Sequence, residues 1–146
     1  MPNAKQTITI ARPVETVFAF LADGETALRW RSGVLDIKRI SGEAGGARYA
    51  QGVRGPMGRR IAADYEITGF EPNTRIEFQT TAGPVRPHGR YDFESVDGGT
   101  RLTFALDAAV SGIRWMLMGG MVQKTMDAEV AALAKLKEVL EAQPVV

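Results

Sequence analysis

The sequence predicts an α+β fold: one strand, two short helices, six more strands paired as antiparallel neighbours, and one long C-terminal helix. Two changes of rhythm and one pattern of breaks predict it. Apolar side chains recur every second residue from 33 to 108, then every third or fourth from 112 to 141. Between the period-two runs lie short links rich in Gly, Pro, Asn and Asp, the residues that turn a chain back on itself. With 146 residues, 45% apolar and 24% charged, the chain has the size and balance of one domain around one core, residues 1–146.

The first strand is QTITIA (6–11), where Ile8 and Ile10 alternate with polar neighbours. RPVETVFAFLAD (12–23) follows as a helix, with Pro13 at its start and Val14, Val17, Phe18 and Leu21 at helical spacing. GETALRW (24–30) reads as a second short helix. Strands are expected near 34–41, 47–54, 60–69, 75–81, 88–96 and 100–108. They are separated by GEAGG (42–46), GPMG (55–58), EPN (71–73), AGPVRP (82–87) and DGG (97–99). Links this short join antiparallel pairs. In the last segment Met118, Val122, Met126, Val130, Leu133, Leu136 or Lys137, and Leu140 form one stripe, and thirty helical residues would reach ~45 Å.

Several function classes are disfavoured by composition. The charge is 18 basic against 17 acidic side chains, with no sign asymmetry between halves, so no nucleic-acid partner is expected. There are no cysteines, which removes disulfides, thiolate nucleophiles and cysteine-ligated zinc, and fits a cytoplasmic location. The apolar run VFAFLA (17–22) is too short for a secretory signal. Arg114 and Lys124 bracket only nine uncharged residues, whereas a spanning helix needs ~20, so no integral membrane segment is expected.

The phrases ITIARPVETVFAFLAD (8–23), Trp30, YEITGFEPNTRIEF (65–78), GRYDFESVDGGTRLTF (89–104) and LAKLKEVLE (133–141), in that order, resemble the START / polyketide cyclase-dehydrase (SRPBCC) superfamily. The resemblance covers essentially the whole chain. It implies a helix-grip fold: a seven-stranded antiparallel sheet curved around the long C-terminal helix, with two short helices between strands 1 and 2. It also implies a hydrophobic cavity between sheet and helix, in which members bind, carry or transform apolar small molecules.

Strand parity sorts side chains onto faces. Ile61, Ala63, Tyr65 and Ile67 share one face, opposite Asp64 and Glu66; Ile76 and Phe78 oppose Glu77 and Gln79. Tyr91 and Phe93 oppose Arg90, Asp92 and Glu94, and Leu102, Phe104 and Leu106 fall together. Tyr49 and Val53 point inward and bring Gln51 with them, so all three tyrosines face inward. A buried phenol needs a partner for its hydroxyl, either backbone and water or a ligand. The expected ligand-binding set is Trp30, Tyr49, Gln51, Tyr65, Phe78, Tyr91, Phe104, Met118, Val122 and Met126. The segment RWMLMGGMVQKTM (114–126) holds Met116, Met118, Met121 and Met126, adaptable side chains suited either to core filling or to a cavity wall. Gly119-Gly120 allows either close approach of a neighbour or a bend that would set 112–118 apart as a short lid.

Catalytic residues are not identified. His88 is the only histidine, and parity puts it with Arg90 and Asp92 on the outer face. Four serines without a G-x-S-x-G argue against a triad, and no metal-ligand spacing exists, so neither metal nor cofactor is expected. GVRGPMGRR (52–60) joins two strands, so it reads as a hairpin with exposed arginines, or as a rim attracting an anionic group. The expected function is binding of a hydrophobic or aromatic small molecule; the alternative is a cyclase or dehydratase acting in the same cavity. The absence of an obvious inward acid–base pair favours binding.

Overall fold

The structure is a computed structural model describing residues 3–83, 85–108 and 112–143; for Pro56 and residues 112–119 only the backbone is described. The chain runs β1 (Asn3–Ile10), α1 (Val14–Ala22), a 3-10 helix (Gly24–Arg29), β2 (Val34–Ser41), β3 (Arg48–Arg54) and β4 (Arg60–Ala62). It continues through β5 (Tyr65–Glu71), β6 (Arg75–Thr80), β7 (His88–Val96), β8 (Gly99–Asp107), α2 (Gly112–Ala131) and α3 (Leu133–Ala142). Neighbours in the sheet are β1-β8-β7-β6-β5-β3-β2, with β4 on β3, and every pair is antiparallel. This is the helix-grip arrangement.

Three boundaries differ from expectation, each for a local reason. The strand expected at 60–69 divides into β4 and β5, so the sheet has eight strands where seven were expected. The pairing offset is the same on both sides of the break, with Gly52 opposite Ala62 and Tyr49 opposite Tyr65. Between them the Asp64 carboxylate accepts the Gln51 N–H at 3.0 Å, a place in the ladder that a backbone carbonyl would otherwise fill. Because the register never slips, Ile61, Ala63, Tyr65 and Ile67 keep one face. Second, the segment GETALR forms a 3-10 helix, with Asp23 capping it by accepting the Glu25 N–H at 3.1 Å.

Third, the long helix is interrupted at Ala132 and runs unbroken past Gly119-Gly120. The Ala132 N–H is shared between the carbonyls of Ala128 and Glu129, each 3.2 Å away, which tightens one turn and starts α3. The expected separate lid at 112–118 is therefore absent from the backbone, and a Cβ at Gly120 would meet nothing within 4 Å, so no close approach calls for glycine there.

What holds the helix to the sheet is partly apolar and partly polar. Val122, Met126, Val130, Leu133, Leu136 and Leu140 are buried, which settles the stripe on Leu136; Lys137 instead reaches β1, donating to the Thr9 carbonyl at 2.8 Å. Nearby the Ala11 N–H donates to Glu141 at 2.8 Å, and Arg12 donates to the carbonyls of Glu141 and Gln143. A guanidinium on the last carbonyls of a helix satisfies acceptors that have no intrahelical donor. The edge strand β1 is thus clamped along α3, leaving the opposite half of the sheet free to diverge from α2.

Candidate functional site

The space left by that divergence is a cavity of about 390 Å³. Its floor is an aromatic row across the sheet. Tyr49 on β3 stacks on Tyr65 on β5 with centroids 5.0 Å apart, Tyr65 lies 5.4 Å from Phe78 on β6, and Phe78 lies 6.4 Å from Phe104 on β8. Tyr91 on β7 stacks on Phe104 at 4.3 Å. Tyr49–Tyr65 and Tyr91–Phe104 are directly opposed cross-strand pairs, the geometry in which ring contacts add to sheet stability. Gly89 stands opposite Phe78, and the ring of Phe78 occupies the space where a side chain at 89 would be.

The roof is α2, through Met121, Val122, Thr125, Met126 and Glu129. The end wall is Leu21, Ala22, the 3-10 helix, Trp30 and Arg31. The far side is built from Gln51, Val53, Arg54, Gly55 and residues 61–63, with Val85 and Pro87 completing the wall. The loop containing GPMG is a hairpin: Met57 is fully exposed at its tip, and Arg60 makes a two-pronged contact with Asp36, both at 2.8 Å. Arg54 and Gly55 reach the cavity edge, so this hairpin forms part of the rim.

Of the expected ligand-binding residues, Trp30, Gln51, Tyr65, Phe78, Tyr91, Phe104, Val122 and Met126 all border the cavity. Tyr49 does not. It is buried behind Tyr65, and its hydroxyl accepts the Gly24 N–H at 3.2 Å, so its polar tip serves the backbone of the 3-10 helix. The side chains of Met116 and Met118 lie outside the described residues. Met121 stands at the cavity edge, 57% exposed, while Met126 is buried in the roof. His88 is on the outer face, as its parity implies, with Nδ1 3.4 Å from the Asp107 carboxylate.

Two residues that sequence reasoning passed over form the polar centre of the cavity. Arg31 Nε donates to Glu129 Oε2 at 2.8 Å, and Nη1 donates to Gln51 Oε1 at 3.0 Å. Both side chains are largely buried, at 16% and 21% exposure. An inward charged pair therefore exists that was not obvious from the sequence. Burial opposes the Arg31 charge, but the Glu129 carboxylate and its hydrogen bond outweigh that penalty and hold the guanidinium protonated well above its ordinary range. Gln51 is fixed in turn, its Nε2 donating to the Ala63 carbonyl at 3.1 Å. Burial pushes the phenols of Tyr65 and Tyr91 up from their usual values, more than the nearby Arg31 charge pulls them down, so both are neutral donors at ordinary pH.

The sequence does carry one signal for Glu129. It lies three residues after Met126 and seven after Val122, on the apolar stripe of α2, where an acid must find a buried partner. Arg31 carries none, since its direction is set by the turn that follows the 3-10 helix, where its N–H donates to the Ala27 carbonyl at 2.8 Å. Among the described residues no group of three His, Cys, Asp or Glu side chains is placed to hold a metal ion, and no helix is long and apolar enough to cross a membrane.

Comparison with known proteins agrees with this architecture. An uncharacterised protein of Mycobacterium tuberculosis is 29% identical over 112 residues, which is 74% of this chain; the chain covers 66% of that relative, just under two thirds of its length. The crystal structure of TTHA0849 from Thermus thermophilus superposes with a TM-score of 0.81 at 22% identity, covering 97% of this chain and 98% of that one. A START superfamily protein from Mycobacterium smegmatis superposes with a TM-score of 0.70 at 17% identity, covering 95% and 94%. At such identities the structural likeness speaks to fold alone. Residues 1–141 match the family described as polyketide cyclase / dehydrase and lipid transport, and the chain belongs to that family.

Proposed function

We propose that this chain binds a hydrophobic or aromatic small molecule, lipid- or polyketide-like, in the cavity between the sheet and α2. The observation that carries the proposal is the aromatic floor. The rings of Tyr65, Phe78, Tyr91 and Phe104 line about 390 Å³ of space, within the range of small-molecule sites. Ring faces and thioethers reward flat apolar molecules. Such a cavity gains by filling, because its lining atoms lack neighbours on one side. Native mass spectrometry of the protein from its own cell tests this directly, with a co-purifying small molecule as the expected result. A protein that arrives empty and takes up no apolar fluorescent probe would overturn it.

A second reading, a cyclase or dehydratase working in the same cavity, is favoured by one specific observation. The Arg31–Glu129 pair and the Tyr91 hydroxyl put proton-handling and charge-stabilising groups inside an apolar enclosure, where electrostatic effects are strongest. Incubation with a poly-β-ketone chain, followed by mass spectrometry, separates the two: loss of the mass of water supports turnover, and a chain that stays bound with its mass unchanged supports carriage.

A further inference from the structure

We infer that Glu129 sets the charge selectivity of the cavity: by neutralising Arg31, it makes the polar centre take a neutral hydrogen-bond acceptor, such as a ketone, ester or amide oxygen, and reject a carboxylate. This rests on the cavity being the ligand site, and goes beyond it by naming the polar group that an otherwise apolar ligand must carry.

Of the Arg31 nitrogens, Nε is committed to Glu129 and Nη1 to Gln51, while Nη2 has no hydrogen-bond partner among the described residues. The Tyr65 and Tyr91 hydroxyls likewise have none, although Tyr49 has its backbone partner. Arg31, Tyr65 and Tyr91 all border the same cavity, and the Arg31 charge acts on both phenols. All three can donate, and burial keeps both phenols protonated. What fits such a cluster is an acceptor.

The charge balance of the cavity decides which acceptor. Among the described residues, the charged groups bordering the cavity are Arg31 and Glu129 within it, and Asp23 and Arg54 at its edge. Each pair sums to zero. A carboxylate on the ligand would bring an uncompensated negative charge beside Glu129 into a region where unpaired charge is heavily penalised. A carbonyl oxygen takes the same hydrogen bonds without that penalty. Glu129 thus neutralises the cation within the cavity, and Gln51, pinned to Ala63, prevents Arg31 from swinging away to meet an anion.

Three matched probes test this: methyl 2-naphthyl ketone, 2-naphthoate and 2-ethylnaphthalene, titrated by quenching of tryptophan fluorescence, since Trp30 borders the cavity. The ketone is expected to bind the parent protein about tenfold tighter than 2-naphthoate, with 2-ethylnaphthalene between them. Glu129→Gln keeps an acceptor for Arg31 but leaves the cation uncompensated, so 2-naphthoate should gain about tenfold while the ketone shifts by less than about threefold. The double variant Arg31→Gln/Glu129→Gln, uncharged again, should return to preferring the ketone. It also serves if the single variant folds poorly. Equal binding of ketone and naphthoate by the parent, or an unchanged ratio in folded Glu129→Gln, overturns the selectivity role while leaving the cavity as a binding site. If 2-ethylnaphthalene binds neither parent nor variant, the binding function falls, and this inference with it.

Discussion

Replacing Gly89 by alanine adds a Cβ that would sit 2.0 Å from Phe78 Cζ and 2.2 Å from Cε1. Carbon atoms rest at about 3.5–4.0 Å, so the ring must withdraw by roughly 1.5–2 Å. The backbone at 89 is not in the left-handed region, so alanine brings no torsional strain and the whole effect is steric. Tyr65 stands 5.4 Å from the Phe78 ring, Tyr91 6.1 Å and Phe104 6.4 Å, which leaves the cavity as the direction of retreat. Overpacking of this kind costs about 1–3 kcal/mol. For a chain of this size that corresponds to a fall in Tm of roughly 3–9 °C. Probe binding should fall further, because the displaced ring takes up ligand space. The assay is a double-mutant cycle by thermal melting and probe titration, with Phe78→Leu as the second change. Leucine lacks the atoms that collide, so the double variant should be more stable than the sum of the two single losses by about 1 kcal/mol. Additive losses, or a Gly89→Ala protein that melts and binds like the parent, would refute the placement of Phe78 over Gly89.

Other outcomes follow from the same geometry. Leu136→Ala removes a fully buried side chain at the joint of α3 and the sheet, and should cost about 2–5 kcal/mol in denaturant unfolding. The Tyr65 and Tyr91 phenols titrate higher in the folded protein than in the unfolded chain, so folding retains their protons. Their contribution to stability is complete below about pH 10 and falls as pH rises beyond it, by about 1.4 kcal/mol per pH unit for each. Alkaline melts of Tyr65→Phe and Tyr91→Phe should show a shallower decline than the parent; identical slopes would contradict the burial argument. His88→Ala, on the outer face, should leave probe affinity within about threefold, under ~1 kcal/mol. Abolished turnover in a folded His88→Ala protein would instead make His88 an acid or base of the enzyme reading.

Fold class and the inner face of nearly every strand were legible in the sequence, because period-two alternation is a property of the local backbone and needs no partner. The alternation even survives the interruption at Ala63–Asp64, since the offset pairing Gly52 with Ala62 also pairs Tyr49 with Tyr65. Parity states which face a side chain takes, and not what stands in front of it. Tyr49 and Tyr65 have the same inward parity, yet the Tyr49 hydroxyl accepts the Gly24 N–H while Tyr65 borders the cavity. That difference depends on how the 3-10 helix lies across the sheet, which no spacing encodes. The same holds for the pair at the centre of the site. Arg31 and Glu129 are 98 residues apart, and neither side chain's direction follows from its own neighbours. They meet only when α2 closes over the sheet, because two charges leaving water need each other and the packing of the roof sets where they can do so.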